Sequence, residues 1–135
     1  MKTHIQTIAT VLLTAFTIPA SAELVVIVNP QNSANAMTPE QVSQVFLGKS
    51  SSLTPVDQSA SSAIRTEFYK KVTDKDATQV KALWSKLIFT GKGVPPKEFG
   101  SSTDVKKAVA TDPNAIGYVE KASVDASVKM VLTVP

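Results

Sequence analysis

The run Leu24-Val25-Val26-Ile27-Val28 has no polar position and is mostly β-branched. Such a run predicts a strand buried on both faces, as in an α/β sheet. Asn29-Pro30-Gln31-Asn32-Ser33 ends it with turn-forming residues. The apolar spacing then changes. Val42, Val45 and Phe46 follow at helical intervals behind Thr38-Pro39-Glu40-Gln41. There Thr38 can cap, Pro39 suits the first helical position, and Gln41 can close a capping box. Gly48 marks the helix end. Lys49 to Ser52 is a polar loop, and Leu53 to Asp57 reads as a short second strand, placed at a sheet edge by Pro55.

A helix with Ile64, Phe68 and Val72 on one face, and Tyr69 beside them, is predicted to end near Thr73. Asp76 can cap the next, in which Val80, Leu83, Trp84, Leu87 and Ile88 form an inward stripe with Lys81 and Lys86 outside. Trp84 is expected as a core anchor within that stripe. Phe89 to Lys97 holds two glycines and two prolines and is predicted as a shaped loop. Ser101 to Asp104 opens a short helix with Val105, Ala108 and Val109 inward. Ala115-Ile116-Gly117-Tyr118-Val119 reads as a buried strand whose glycine implies close approach of another backbone. A helical turn within Glu120 to Ser127 and a closing strand over Val128 to Val134 complete the order. The expected fold class is α/β, a mixed sheet flanked by helices.

The stretch Pro55 to Tyr69 carries the candidate chemistry. A short apolar piece ends in Asp57 and passes through Ser59, Ser61 and Ser62 into the helix. Serines at a helix start can cap its free N–H groups, and the same groups can hold an anion. Arg65 lies one turn inside and can add a planar cation. Asp57 either accepts hydrogen bonds from the following turn or faces a ligand. Gly48-Lys49-Ser50 is not a phosphate loop, because that motif needs glycine where Ser43 stands and a strand rather than a helix before it.

Composition narrows the function classes. Lys2, an apolar run from Ile8 to Ile18 and the small residues Ala20 and Ala22 form a cleavable leader over 1–22, so the mature chain is expected to span 23–135 as one exported, periplasmic domain. No later segment is apolar enough for a membrane span. The 135-residue chain has no cysteine, and its one histidine, His4, lies in that leader. His-based triads, thiol nucleophiles and the usual zinc sites are thereby excluded, and no enzyme activity, catalytic residue, metal or cofactor is expected. A net charge of +3 without basic runs or interleaved aromatics is no nucleic-acid footprint.

Phe46-Leu47-Gly48-Lys49, Pro55-Val56-Asp57, the helix start from Ser62 to Phe68, Phe89-Thr90-Gly91-Lys92-Gly93 and Ala115-Ile116-Gly117-Tyr118-Val119 occur in this order. In that set the chain resembles the phosphate-binding proteins of phosphate ABC transporters, within the type II periplasmic binding protein superfamily. It is similar to one lobe of that two-lobed family. The family's binding segment carries an arginine, an acid and a Ser-Gly-Thr triplet. Gln58, Ala60 and Ser62-Ala63-Ile64 stand at those places here, so only Ser62 matches. The resemblance implies an oxyanion-binding module associated with ABC-type phosphate transport. Its expected anion-binding residues are Asp57, Ser61, Ser62, Ala63 and Arg65; Arg65 lies on a different turn from the missing arginine, and whether it takes that arginine's place is left open by the sequence. Its expected partners are inorganic phosphate or a similar oxyanion, an ABC permease or other envelope protein, and a second copy in a homodimer. The alternative is an envelope interaction protein that keeps the lobe and binds a protein instead of an anion.

Overall fold

The computed structural model describes residues 23–135, and the expected leader over 1–22 lies outside the described residues. The described residues form strands β1 (Leu24–Val28), β2 (Thr54–Gln58), β3 (Lys97–Phe99), β4 (Ala115–Glu120) and β5 (Lys129–Val134), with helices α1 (Pro39–Phe46), α2 (Ala63–Phe68), α3 (Ala77–Phe89) and α4 (Ser102–Thr111). The sheet order is β3-β2-β4-β1-β5. β1 runs antiparallel to β4 and β5, while β2 runs parallel to β3 and β4. The expected mixed sheet flanked by helices is the observed fold.

β1 is apolar at every position because each face of the sheet carries its own core. Leu24, Val26 and Val28 point to one side, with Phe46, Phe68, Val80, Trp84 and Tyr118. Val25 and Ile27 point to the other, against Val105 and Val109 of α4. Successive strand side chains alternate faces, so a central strand between two helical layers has no solvent side. Among the described residues no helix is long and apolar enough to cross a membrane.

The helix signals hold at three of the four starts. Thr38 and Asp76 close capping boxes with Gln41 and Gln79, and the Ser101 hydroxyl accepts from the Asp104 N–H. Gly48 takes φ +74°, the left-handed conformation in which α1 stops. The exception is α2. Ser62 stands at its N-cap position, yet its side chain makes no capping bond.

Several expectations are corrected. β2 is not an edge strand, since β3 and β4 flank it. Pro55 is tolerated because β3 begins opposite Val56, one residue beyond the proline. The expected loop ends in β3, whose three residues leave no room for an alternating pattern. The helical segment from α2 does end at Thr73 as expected, but its last part, Tyr69–Thr73, is a π-helical turn that closes on Asp74 at φ +56°. Ile88 is half exposed instead of lying in the core stripe. At Gly117 the close neighbours are valine methyls, not backbone: a Cβ there would lie 2.7 Å from Val105 Cγ1 and 3.1 Å from Val109 and Val56 Cγ2.

Candidate functional site

β2 delivers Asp57 and Gln58 to the end of the sheet, where α2 and its π-helical extension lie over them. Asp57 is 2% exposed. Its carboxylate accepts from the Tyr118 hydroxyl, from the Tyr69 hydroxyl at 2.6 Å and from the Gln58 N–H at 2.9 Å. Arg65 Nη2 lies 3.9 Å from Asp57 Oδ2. The two tyrosines stand in an aromatic cluster that fixes them. Phe68 stacks on Tyr118 at 3.9 Å between centroids, and Phe46 meets Phe68 edge-on at 4.8 Å.

Gln58 joins three elements. Its Nε2 donates to Ser102 Oγ at 3.0 Å and to the Tyr118 carbonyl at 3.1 Å, and its Oε1 accepts from Ser62 Oγ at 3.2 Å. Ser62 fails to cap α2 because its hydroxyl is committed to Gln58. Ser59 and Ser61 pair their hydroxyls at 3.3 Å on the exposed turn. Arg65 Nη1 donates to the Gln58 carbonyl at 3.0 Å and to Glu98 Oε1 at 2.6 Å. The guanidinium also lies 5.6 Å from the Tyr69 ring centroid, within cation–π range.

Burial is the largest influence on Asp57 and raises its pKa above the ordinary carboxylate value; the tyrosine hydroxyls, Arg65 and the Gln58 N–H pull against it. Burial also holds the Tyr69 and Tyr118 phenols above their usual range, with the adjacent Asp57 carboxylate adding to it. For Arg65, burial works to lower the pKa, but the Asp57 charge and the Glu98 hydrogen bond outweigh it and the guanidinium stays firmly protonated.

Asp57 and Arg65 share a cleft of about 360 Å³ with Glu98, Trp84, Ile88 and Pro95. Ser61, Ser62 and Ala63 do not line it. The five expected site residues therefore divide. Asp57 and Arg65 meet in one network, whereas the small residues form the turn behind it. Tyr69, Tyr118, Gln58 and Glu98 were not expected there. A signal existed for one of them: a tyrosine inside an apolar strand needs a partner for its hydroxyl, and Tyr118 has Asp57. A second cleft, about 540 Å³, is lined by neutral side chains such as Asn32, Gln44 and Ser50 and contains no charged group.

Asp57 has its donors already, and both phenols are held protonated. Within the described residues no group of three or more metal-ligating side chains occurs. Arg65 is different: its Nε and Nη2 donors make no hydrogen bond to the described residues. They are the unspent polar capacity of the site.

No family model matches the chain, and no curated protein matches it. Its fold does match solved structures. An ABC-type phosphate transport receptor from Vibrio cholerae is 21% identical with a TM-score of 0.63, over 81% of this chain and 45% of that one. A Clostridium perfringens protein with bound phosphate is 22% identical with a TM-score of 0.67, over 81% and 44%. PstS from Borrelia burgdorferi is 13% identical with a TM-score of 0.62, over 81% and 46%. At these identities the likeness is one of fold, and the chain spans less than half the length of each structure. The resemblance read from the sequence is thus matched by an α/β unit common to these solved structures.

Proposed function

We propose that this chain is a non-enzymatic binding module of an exported, periplasmic substrate-binding system, in which Arg65 holds an oxyanion, with inorganic phosphate the first candidate. The observation that carries the reading is Arg65. It is a partly buried guanidinium with unspent donors in the lining of a cleft, on a fold found in a phosphate transport receptor. Asp57 orients the guanidinium. Ser61, Ser62 and Ala63, which lie behind the cleft, take no part in it, and an ABC permease is the natural downstream partner.

A charge-assisted hydrogen bond contributes about 1.5–3 kcal/mol. Two from Arg65 gross about 3–6 kcal/mol, and the cost of immobilising the ion comes off that sum, so the affinity is expected to be no tighter than millimolar, about −4 kcal/mol. Calorimetric titration with phosphate, using sulfate as control, tests this. Arg65→Ala is expected to abolish the heat without unfolding the domain. Wild-type protein giving no heat well above millimolar phosphate would remove the ion from consideration.

One observation favours the alternative of a protein partner. Phe89 is 92% exposed and Val94 is 85% exposed, at the end of α3 and in the loop after it. Large apolar side chains so placed suit an interface. Loss of partner capture from an envelope extract on Phe89→Asp would support that role, and a monomer that captures nothing would end it.

A further inference from the structure

The cleft at Arg65 contains more than a bare inorganic ion can use. Its walls include Val80, Trp84, Ile88, Pro95 and Pro96. Its size lies at the lower end of small-molecule sites, about 300–1,000 Å³. Its charged lining balances, with Asp57 and Glu98 against Arg65 and Lys81.

The charged groups differ in what they have left to offer. Asp57 is saturated by three donors and is nearly inaccessible. Glu98 is half exposed (51%) and uses only Oε1 on Arg65, so Oε2 is a free acceptor within the described residues. Arg65 keeps Nε and Nη2 as free donors. Free cationic donors and a free anionic acceptor thus sit on two side chains 2.6 Å apart, beside an apolar wall.

Three ligand types leave something unmatched. A dianion meets two carboxylates. A neutral apolar solute leaves Arg65 unpaired. A hydrophilic zwitterion does not use the apolar wall. An α-amino acid with an apolar side chain matches all three features, because its two charged groups are one carbon apart, as the adjacent Arg65 and Glu98 require. We infer that this cleft binds an apolar α-amino acid, its carboxylate on Arg65 Nη2 and Nε, its ammonium on Glu98 Oε2, and its side chain against Trp84, Ile88, Pro95 and Pro96. The inference rests on the preceding reading in one respect, that Arg65 anchors an oxyanion; it differs in the ligand class.

Trp84 is the only tryptophan in the chain and lies on the cleft wall, so its fluorescence reports occupancy. The full chain is titrated with leucine, glycine, N-acetylleucine, leucinamide and inorganic phosphate, each also by calorimetry. Leucine is expected to bind saturably. Glycine is expected to be weaker by about 10- to 100-fold, for want of a buried side chain. N-Acetylleucine and leucinamide each lack one charge and are expected to lose at least about tenfold.

Glu98→Gln is the deciding variant, because Glu98 is exposed and its removal leaves the core intact. It should weaken leucine by about tenfold and leave N-acetylleucine equal or tighter. Leucine no tighter than glycine, or N-acetylleucine equal to leucine with Glu98→Gln silent, overturns the inference. Phosphate binding without leucine binding overturns it and leaves the phosphate reading standing. Leucine binding without phosphate binding does the reverse. Binding of neither removes both.

Discussion

Replacing Asp57 separates the contribution of its shape from that of its charge. In Asp57→Ala, the Tyr69 and Tyr118 hydroxyls lose their acceptor inside the core, and Arg65 loses one of its two carboxylates. Each buried polar group left unsatisfied costs about 1–3 kcal/mol. Two such groups give about 2–6 kcal/mol, and removing one partner of a buried charged pair typically costs about 3–5 kcal/mol. Relief of the burial penalty on the carboxylate, the largest influence on its pKa, offsets part of this. The expected loss is about 3–4 kcal/mol. Asp57→Asn keeps the shape and one acceptor oxygen, and its amide can donate to the second tyrosine hydroxyl. Its expected loss is about 1–2 kcal/mol. Urea unfolding followed by Trp84 fluorescence measures both, since the indole sits in the core with its N–H on the Phe46 carbonyl.

The same pair of variants has a pH signature. The folded-state pKa of Asp57 lies above its unfolded value, so between the two the folded protein binds more protons than the unfolded chain. Stability must therefore fall as pH rises through the window above 3.8. This is the reverse of a carboxylate stabilised by a salt bridge. Asp125 behaves in that usual way: held low by Ser127 and Lys106, it loses its contribution as pH falls below 3.8, outside the Asp57 window. The difference between wild type and Asp57→Asn isolates the slope. Asp57→Ala no less stable than Asp57→Asn, with no difference in slope, would refute the network as the source of stability.

Two further predictions concern packing and capping. Gly117→Ala places a methyl 2.7 Å from Val105 Cγ1, between β-branched side chains with little rotamer freedom, and should cost about 1–3 kcal/mol in denaturant unfolding. Adding Val105→Ala should recover part of the loss in a double-mutant cycle. Ser62→Ala should cost less than Thr38→Ala, because Ser62 bonds only Gln58 Oε1 whereas Thr38 caps α1, a role contributing about 1 kcal/mol.

Much of the fold was legible because its signals are local. The unbroken apolar run of β1 and the capping boxes before α1 and α3 each lie within a few residues of the element they define. β3 was not legible. It has three residues, follows two prolines, and exists through its parallel pairing to β2 across about forty positions. The edge position assigned to β2 failed for a related reason: Pro55 does restrict pairing, but only at the end of the strand that β3 does not reach. At the site, Asp57 and Arg65 stood out as charges flanking a helix start. Their partners did not, because Glu98 lies 33 residues from Arg65 and Tyr118 lies 61 residues from Asp57. The serines looked like caps because caps are the common use of serine at a helix start. Gln58, one strand residue away, offered Ser62 a competing acceptor.

The position of Arg65 follows from these long-range contacts. A guanidinium on a six-residue helix would ordinarily sample many rotamers. Here the Gln58 carbonyl and Glu98 hold Nη1, Asp57 faces Nη2, and the Tyr69 ring lies alongside. Asp57 is fixed in turn by two tyrosines locked in the aromatic cluster. The core thus sets the orientation of a cation at the cleft, and a ligand meets donors whose ordering cost has already been met by folding. The arrangement also limits what Arg65 can attract. Asp57 and Glu98 balance Arg65 and Lys81 in the lining, so the cleft has little means of drawing anions by net charge. What remains is short-range and directional: free donors on one side chain, a free acceptor on the next, and an apolar wall. For the ligand proposed above, the spacing of its charges should therefore matter more than their sum.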